Sequence, residues 1–526
     1  MFRNISVHAS ILFVLLFLPV SLTLLTAQTD SGTVSGLAVD QSGALVSDAT
    51  VTLINTGTNA ERTVTTNHSG EYTFPPVAAG IYTVRADAPG FQRFEARVEV
   101  TVGGHATVPI KFALSGSQQT VTVIDQGGTT VNTQTQEVSQ IVSSVQVSEL
   151  PSLTRNPYDF VSISGNISSG DKVAQSGATK TTGDQNDTTR GVGYSLNGQR
   201  SSGTEILLDG VENVDSYVTG PEVTVPIDAV QEYRITTSNF EPQYGRASGG
   251  VVSVVTKSGT NRFHGGAWEF NRLAAYTANT VQNAQSGVPK GGYTRNQFGY
   301  DVGGPILKDR LFFFQSTEWV RVRSAGNQIS LVPTPQFLAA SNSATQAFFT
   351  QYGSPAPTFT QTLSKDDVVA SGVNPTAGGP FDLLPGSTPV FGVAPFTSPT
   401  NAGGGDPQNT YYLIGRVDFN ATPRTQMYGR YVFYNELDEN GSMFSTPYSQ
   451  YNVGASERDN AALFGLTHEF SGALVSSTKL SFTRHTLSQP FDTSQQNAPT
   501  LFLYNNATIG GNLVQFPGFY SQFEGT

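Results

Sequence analysis

Six histidines, at positions 8, 68, 105, 264, 468 and 485, are the first residues to test for chemistry. They fall in separate segments, and none stand at the spacing that brings imidazoles to one metal ion. No Gly-x-Ser-x-Gly elbow, phosphate loop or dinucleotide fingerprint occurs. Cysteine is absent, which removes disulfides, thiolate zinc sites, a lipidated cysteine anchor and a cysteine nucleophile. The stretch Asp209-Gly-Val-Glu212-Asn-Val-Asp215 offers oxygen donors for calcium without the spacing of a known loop, so a solvated turn is the better reading. The expectation is a protein with no catalytic residues, no cofactor and no metal, and hence not an enzyme.

The composition describes what must be built instead. Charged residues make up 13 % of the 526, about half of the ~25 % usual in soluble domains. Gly, Ser, Thr, Asn and Gln take their place, with 33 Phe and 20 Tyr. That mixture suits strands and turns rather than long helices. A net charge of -11 argues against a nucleic-acid partner. At the N-terminus Arg3 precedes an apolar run from Ile11 to Leu18, and Leu24-Leu25-Thr26-Ala27 fits a cleavage site, so residues 1–27 read as a secretory signal rather than a retained anchor. No later segment has the ~18 apolar residues of a membrane helix, so entry into a membrane would require a barrel.

Residues 31–115 alternate in short strands, including Thr33–Val39, Ala49–Asn55, Gly80–Ala86 and Phe94–Val102, separated by Asp40-Gln-Ser-Gly43, Asn55-Thr-Gly57 and Pro89-Gly90. This spacing reads as a β-sandwich. Gly36-Leu-Ala-Val-Asp40, Ala49-Thr-Val-Thr-Leu53 and Gly70-Glu-Tyr-Thr-Phe-Pro75 resemble the carboxypeptidase-regulatory-like fold. The resemblance implies a structural module without catalytic residues.

Residues 116–260 open on the polar linker Ser115-Gly-Ser-Gln-Gln and the extended patch Thr120, Val121, Thr122, Val123, Ile124. Glu137 to Leu150 has the periodicity of a short helix stopped by Pro151. Downstream come Asn197-Gly198, Leu207-Leu-Asp209-Gly210, Tyr244-Gly245, Gly249-Gly250 and Val251-Val-Ser-Val-Val-Thr-Lys257-Ser258-Gly259. Together these resemble the plug of TonB-dependent outer-membrane receptors of the Oar-like type. The resemblance implies that Thr120–Ile124 is a strand offered to an energising TonB-type protein in the periplasm; the alternative is the next ordinary strand. Val251 to Thr256 is a strand apolar on both faces, which requires burial on both sides.

From residue 261 to 526 apolar and polar residues alternate strand after strand, as in Phe298, Tyr300 and Val302 against Gln297 and Asp301, or Leu413 and Val417 against Arg416 and Asp418. Trp268 and Phe270 read as another apolar face, and Leu513 to Phe523 as a further strand. Tight links at Pro305–Asp309, Ala421–Arg424 and Ser471–Ala473 alternate with long ones, the longest a Pro/Gly/Ser/Thr-rich loop from Ser324 to Asn409. Short turns on one side and long loops on the other mark an outer-membrane barrel in contact with lipid. About seven or eight strands are legible, against roughly 22 in plugged transporters, so an incomplete barrel and a piece of a longer protein are expected. The fold class is thus mainly β: an N-terminal β-sandwich in the periplasm, a small α+β plug and a partial antiparallel transmembrane β-barrel. The function implied by the resemblance is TonB-dependent transport of an extracellular ligand across the bacterial outer membrane. The alternative is a surface-binding or structural outer-membrane protein without transport.

Overall fold

A computed structural model describes residues 31–114, 123–124, 136–150, 152, 155–165, 167–169, 194–215, 220–279, 290–372, 381–402, 404–442, 445–471, 474–488, 508–509 and 512–517. The signal segment and the Ser115–Gln119 linker lie outside these residues.

The first unit is built from β1 (Ser31–Val39), β2 (Thr50–Asn55), β3 (Glu61–Thr65), β4 (Glu71–Ala78), β5 (Gly80–Asp87), β6 (Phe94–Val100), β7 (His105–Thr107), β8 (Ile110–Lys111) and β9 (Val123–Ile124). β4, β1 and β7 form one sheet, with β8 also on β1; β3-β2-β5-β6-β9 form the other. The period-two pattern works as expected. In β6, Phe94, Ala96, Val98 and Val100 are buried while Glu95, Arg97 and Glu99 are exposed. The two inner faces close over Val34, Val51, Leu53, Phe74, Val84 and Phe112, a sandwich core.

The second unit contains β10 (Val138–Ser143), helix α1 (Ser144–Glu149), β11 (Ile167–Ser169), β12 (Tyr194–Leu196), β13 (Thr204–Leu208), β14 (Val211–Glu212), β15 (Val230–Ser238) and β16 (Gly250–Thr256). Its main sheet runs β10-β15-β16-β13-β14. The helix expected over Glu137–Leu150 is only half present. Val138–Ser143 pairs with β15 instead, and the helix begins at Ser143, which caps it in a reciprocal box with Gln146. The edge of β15 competes successfully for residues whose own helical stretch is short. β16 lies between antiparallel β15 and parallel β13 and is buried at every position.

The third unit is a single antiparallel sheet of β17 (His264–Leu273), β18 (Gly292–Leu307), β19 (Leu311–Pro333), β22 (Gln408–Thr422), β23 (Thr425–Asp438), β24 (Ser456–Ser471) and β25 (Leu474–Ser488), in that order. Among the described residues β17 pairs only with β18 and β25 only with β24, so the sheet is open and does not close into a cylinder. It curves around the plug: Phe314, Ile414, Val432 and Ala461 share one core with Tyr158, Ile206, Ile235 and Val252. No described helix is long and apolar enough to cross a membrane. The face turned away from the plug exposes Tyr300, Val417, Tyr431, Phe464, Leu480 and Phe482. Across it Phe298, Trp319, Tyr411 and Phe433 form a ladder of rings with centroids 5.5, 5.6 and 5.9 Å apart, the kind of aromatic girdle that sits at a lipid–water boundary.

Three details depart from the sequence reading. Trp268 and Phe270 face inward, not to lipid. The Trp268 indole donates to the buried Glu318 carboxylate at 2.9 Å, and the Arg155 guanidinium of the plug lies 3.9 Å over the Phe270 ring. These polar contacts outweigh the apolar character of the rings. The segment from Ser324 to Asn409 is largely structured rather than a bare loop. β19 continues to Pro333 and is extended by β20 (Gln361–Ser364) and β21 (Pro389–Pro399), with α2 (Pro335–Ala339), α3 (Ser343–Tyr352) and α4 (Lys365–Ala370) packed beside them. Finally, Leu513 to Phe523 does not form a barrel strand among the described residues. β26 (Thr508–Ile509) and β27 (Asn512–Leu513) make a small hairpin, and Val514 bridges to Leu331 on the outer extension.

Candidate functional site

The plug meets the barrel wall at Asp209. β13 and β14 are joined by Asp209 and Gly210, at φ +52° and +71°, a mirror-type hairpin turn that Asp-Gly adopts readily. This places the Asp209 carboxylate, fully buried, at the seam. Its Oδ1 accepts the Thr256 N–H at 2.8 Å, and its Oδ2 accepts the Thr256 hydroxyl at 2.9 Å. From the barrel, Arg430 approaches Oδ2 at 2.9 Å and Arg416 approaches Oδ1 at 3.3 Å. Lys479 and Tyr428 donate to the Asp209 carbonyl at 3.0 and 3.3 Å, while Arg416 is also held by Asp418 at 2.9 Å. Burial alone would raise the Asp209 carboxyl. The Arg430 and Arg416 charges and the Thr256 N–H outweigh it and hold the group below the usual carboxylate range. Three barrel strands are thus tied to one plug turn.

The other plug-motif residues shape this turn or its supports. Asn197 and Gly198, at φ +54° and +74°, make a second such turn, and the Asn197 amide reaches the carbonyls of Thr237 and Gly249. Tyr244 packs with Leu207 and Val251. A Cβ on Gly250 would come 2.6 Å from the Thr236 carbonyl, whereas Gly245 has open space around it. Lys257 donates its N–H to Ala229. Gly259 lies so close to the barrel that a Cβ would sit 2.3 Å from the Phe313 carbonyl oxygen. Ser258 lines a cavity of about 180 Å³ beneath the seam, bounded also by Arg62 and Tyr82 of the sandwich and by Arg416.

Sequence reasoning did not find the contacts between the sandwich and the other two units. Glu232 Oε1 on β15 accepts the Val102 N–H at 2.6 Å; Arg234 donates to the Val102 carbonyl at 2.8 Å and to Glu137 at 2.6 Å. On the barrel's short-turn side Arg62 pairs with Glu469 at 2.8 Å, Asn59 bonds Asp309 at 3.1 Å, and Asn261 donates its N–H to Gly57. The partners of these residues are distant in sequence.

Burial pushes the Glu232 carboxyl up to about 7, with Glu99 adding to the effect and the Val102 N–H and Arg234 opposing it. A raised carboxyl favours the folded state while protonated. Its stabilisation is complete below the unfolded value of ~4.5 and is lost as pH rises through about 7. Glu232→Gln keeps the acceptor for Val102 and removes the charge. It should therefore stabilise the chain at pH 8 by about 2–3 kcal/mol and change little at pH 4.5. Melting curves across this range test it; equal pH slopes in variant and wild type would count against the burial of this group.

Of the candidate coupling strand, Val123 and Ile124 form β9, parallel to β6 with Val123 opposite Ala96. Thr120, Val121 and Thr122 lie outside the described residues.

Comparison with known proteins agrees with this architecture. The carboxypeptidase regulatory-like domain model matches residues 33–115. The TonB-dependent transporter Oar of Myxococcus xanthus is 27 % identical over 305 residues, covering 55 % of this chain and 26 % of that protein. A probable TonB-dependent siderophore receptor, PirA of Acinetobacter baumannii, is 27 % identical over 146 residues, covering 23 % and 18 %. The chain thus spans about a quarter or less of the length of these relatives. Among solved structures, the outer membrane transporter YddB from Escherichia coli is 11 % identical with a TM-score of 0.43, covering 67 % of this chain and 40 % of that one. The siderophore receptor PirA from Pseudomonas aeruginosa is 12 % identical with a TM-score of 0.38, covering 67 % and 41 %. The outer membrane beta barrel domain model matches residues 255–525, more than half of the 526, and with its lipid-facing sheet wrapped around a plug the chain belongs to that outer-membrane family.

Proposed function

We propose that this chain takes part in TonB-dependent transport of a ligand across the outer membrane, with the sandwich and plug as the periplasmic gate. The observation that carries the reading is the seam at Asp209. A plug held by a few buried ionic contacts, rather than by a continuous hydrophobic interface alone, can be released when those contacts are broken together. The sandwich is fastened to the same plug sheet through Val102, so force applied near β9 would reach β15 by a short path. The partner would be a TonB-type protein that pairs with Thr120–Ile124 by adding a strand, a general mode of edge recognition.

Because the chain has no cysteine, Thr122→Cys gives a unique reporter. In bacterial membranes it should form a disulfide with a cysteine-bearing periplasmic domain of the TonB-type partner, and Val121→Pro should reduce that cross-link at least about tenfold by breaking strand pairing. A cross-link of equal yield in both chains, or none in either, would oppose the coupling role. The second reading, a surface-binding protein without transport, is favoured by the structured outer extension of β19, β20 and β21. It gains if surface binding persists while the cross-link is absent.

A further inference from the structure

The wall strands bring together a group of side chains that the sequence keeps apart. Asp459 on β24 and His485 on β25 are 26 residues apart in the chain but directly opposite in the ladder. Glu457 stands two positions before Asp459 on the same face. His485 Nδ1 is 2.6 Å from Asp459 Oδ1 and 3.9 Å from Glu457 Oε1, and one donor atom from each of the three lies within 4.8 Å of the others. The Asp459, Glu457 and His485 side chains are 1 %, 9 % and 24 % exposed. They face the inside of the sheet, toward its long-loop end.

We infer that Glu457, Asp459 and His485 form a binding site for a divalent transition-metal ion of the Zn²⁺ class. The donor set is two carboxylates and one imidazole, without sulfur, which suits a borderline ion. Ligand bonds of ~2.0–2.2 Å in a tetrahedron place donor atoms about 3.3–3.5 Å apart. The two distances from Nδ1 straddle that range, so small side-chain rotations would seat an ion between the three. The backbone ladder already fixes the strands that carry them. Two more carboxylates lie beside the group. Glu436, opposite Glu457 in the register, and Asp438 are both buried on the same face of β23, with the Tyr434 hydroxyl bonded to Glu436. Three protein ligands leave a fourth position for water or for a donor group of an incoming molecule.

The test is Zn²⁺ binding by the full chain in detergent, measured by competition with a chromophoric chelator. The expected result is a single site whose affinity falls at least about tenfold in His485→Ala and in Asp459→Asn. His468→Ala, on the same hairpin near the short-turn end, should leave it unchanged. A Zn²⁺-dependent rise in melting temperature that is present in wild type and lost in Asp459→Asn reads the same site without relying on the alanine variant. Binding that is unchanged in both site variants, equal loss in His468→Ala, or a response to Ca²⁺ but not Zn²⁺ would each overturn the assignment. The inference does not rest on transport, and the Thr122→Cys cross-link is unaffected by its outcome.

Discussion

Val252→Asp is expected to unseat the plug while leaving the sandwich folded. β16 is the centre of the plug sheet, with Val252 opposite Ile235 on β15 and Ile206 on β13. Its side chain is fully buried in the core that also contains Phe314 and Ile414 of the barrel. An aspartate there loses the burial of an aliphatic side chain, worth about 1.5–3 kcal/mol. It also places a carboxylate within that apolar cluster. The carboxylate would be forced to take up a proton or to pull the strand out, at a further cost of several kcal/mol. Val254→Asp, two residues along on the same face, should behave alike. Val138→Asp, at an exposed position of the edge strand β10, should stay within ~0.5 kcal/mol of wild type. The readout is thermal unfolding in detergent combined with protease sensitivity of the plug. The sandwich has its own core, so its fragment should survive digestion. Wild-type stability in Val252→Asp would mean that β16 is not enclosed between its two neighbours.

That strand also marks how far the sequence could be read. A run with apolar residues on both faces announces a two-sided environment, and β16 has one in spite of Ser253 and Thr256. Strict alternation with uneven links announces a membrane-facing sheet, and β18, β22, β23 and β24 follow it. The failures occur where a partner distant in sequence decides the outcome. Val138–Ser143 has helical periodicity, yet an available edge on β15 makes it a strand. Trp268 and Phe270 look like lipid-facing rings until Glu318 and Arg155 supply contacts on the inner side. A Pro/Gly/Ser/Thr-rich stretch after Ser324 gave no period to follow, and its order comes from β19 running on to Pro333 and recruiting β21. The site residues divide in the same way. Asp209-Gly210 was legible as a turn and as part of a plug motif, because local backbone chemistry selects those residue types. Arg416, Arg430 and Lys479, which give the turn its electrostatic role, appeared only as polar positions on alternating strands. The partners of Glu232 and Arg234, and the grouping of Glu457, Asp459 and His485, stayed hidden because contacts across the fold, not spacing along the chain, bring them together.

Asp209→Ala should release the seam. Removing the carboxylate leaves Arg430 and Arg416, with side chains 3 % and 11 % exposed, facing one another across a cavity with Asp418 as the remaining acidic partner of Arg416. Breaking a buried pair from one side costs about 3–5 kcal/mol, and alanine at φ +52° adds the strain of a left-handed conformation without the local hydrogen bonding that makes Asp and Asn tolerable there. Asp209→Asn separates the two effects. It keeps the turn and an acceptor for Thr256 but removes the charge, so its loss should be smaller than that of alanine while remaining well above 1 kcal/mol. Arg430→Leu in the Asp209→Ala background should restore part of the stability, because the uncompensated charge is then gone; a double-mutant cycle measures the coupling. The pH response has the opposite sign to that at Glu232. A lowered carboxyl gives stability that is present above the ordinary Asp value of ~3.9 and lost as pH falls through the depressed one. Mild acidification to pH 5 should therefore tighten the sandwich–plug junction while leaving the plug–barrel seam intact, and only stronger acid should loosen the seam. Plug protease sensitivity measured in parallel on wild type, Asp209→Asn and Glu232→Gln from pH 8 to pH 3 checks both signs. If Asp209→Asn is as resistant as wild type throughout, the ionic seam is not what holds the plug in the barrel.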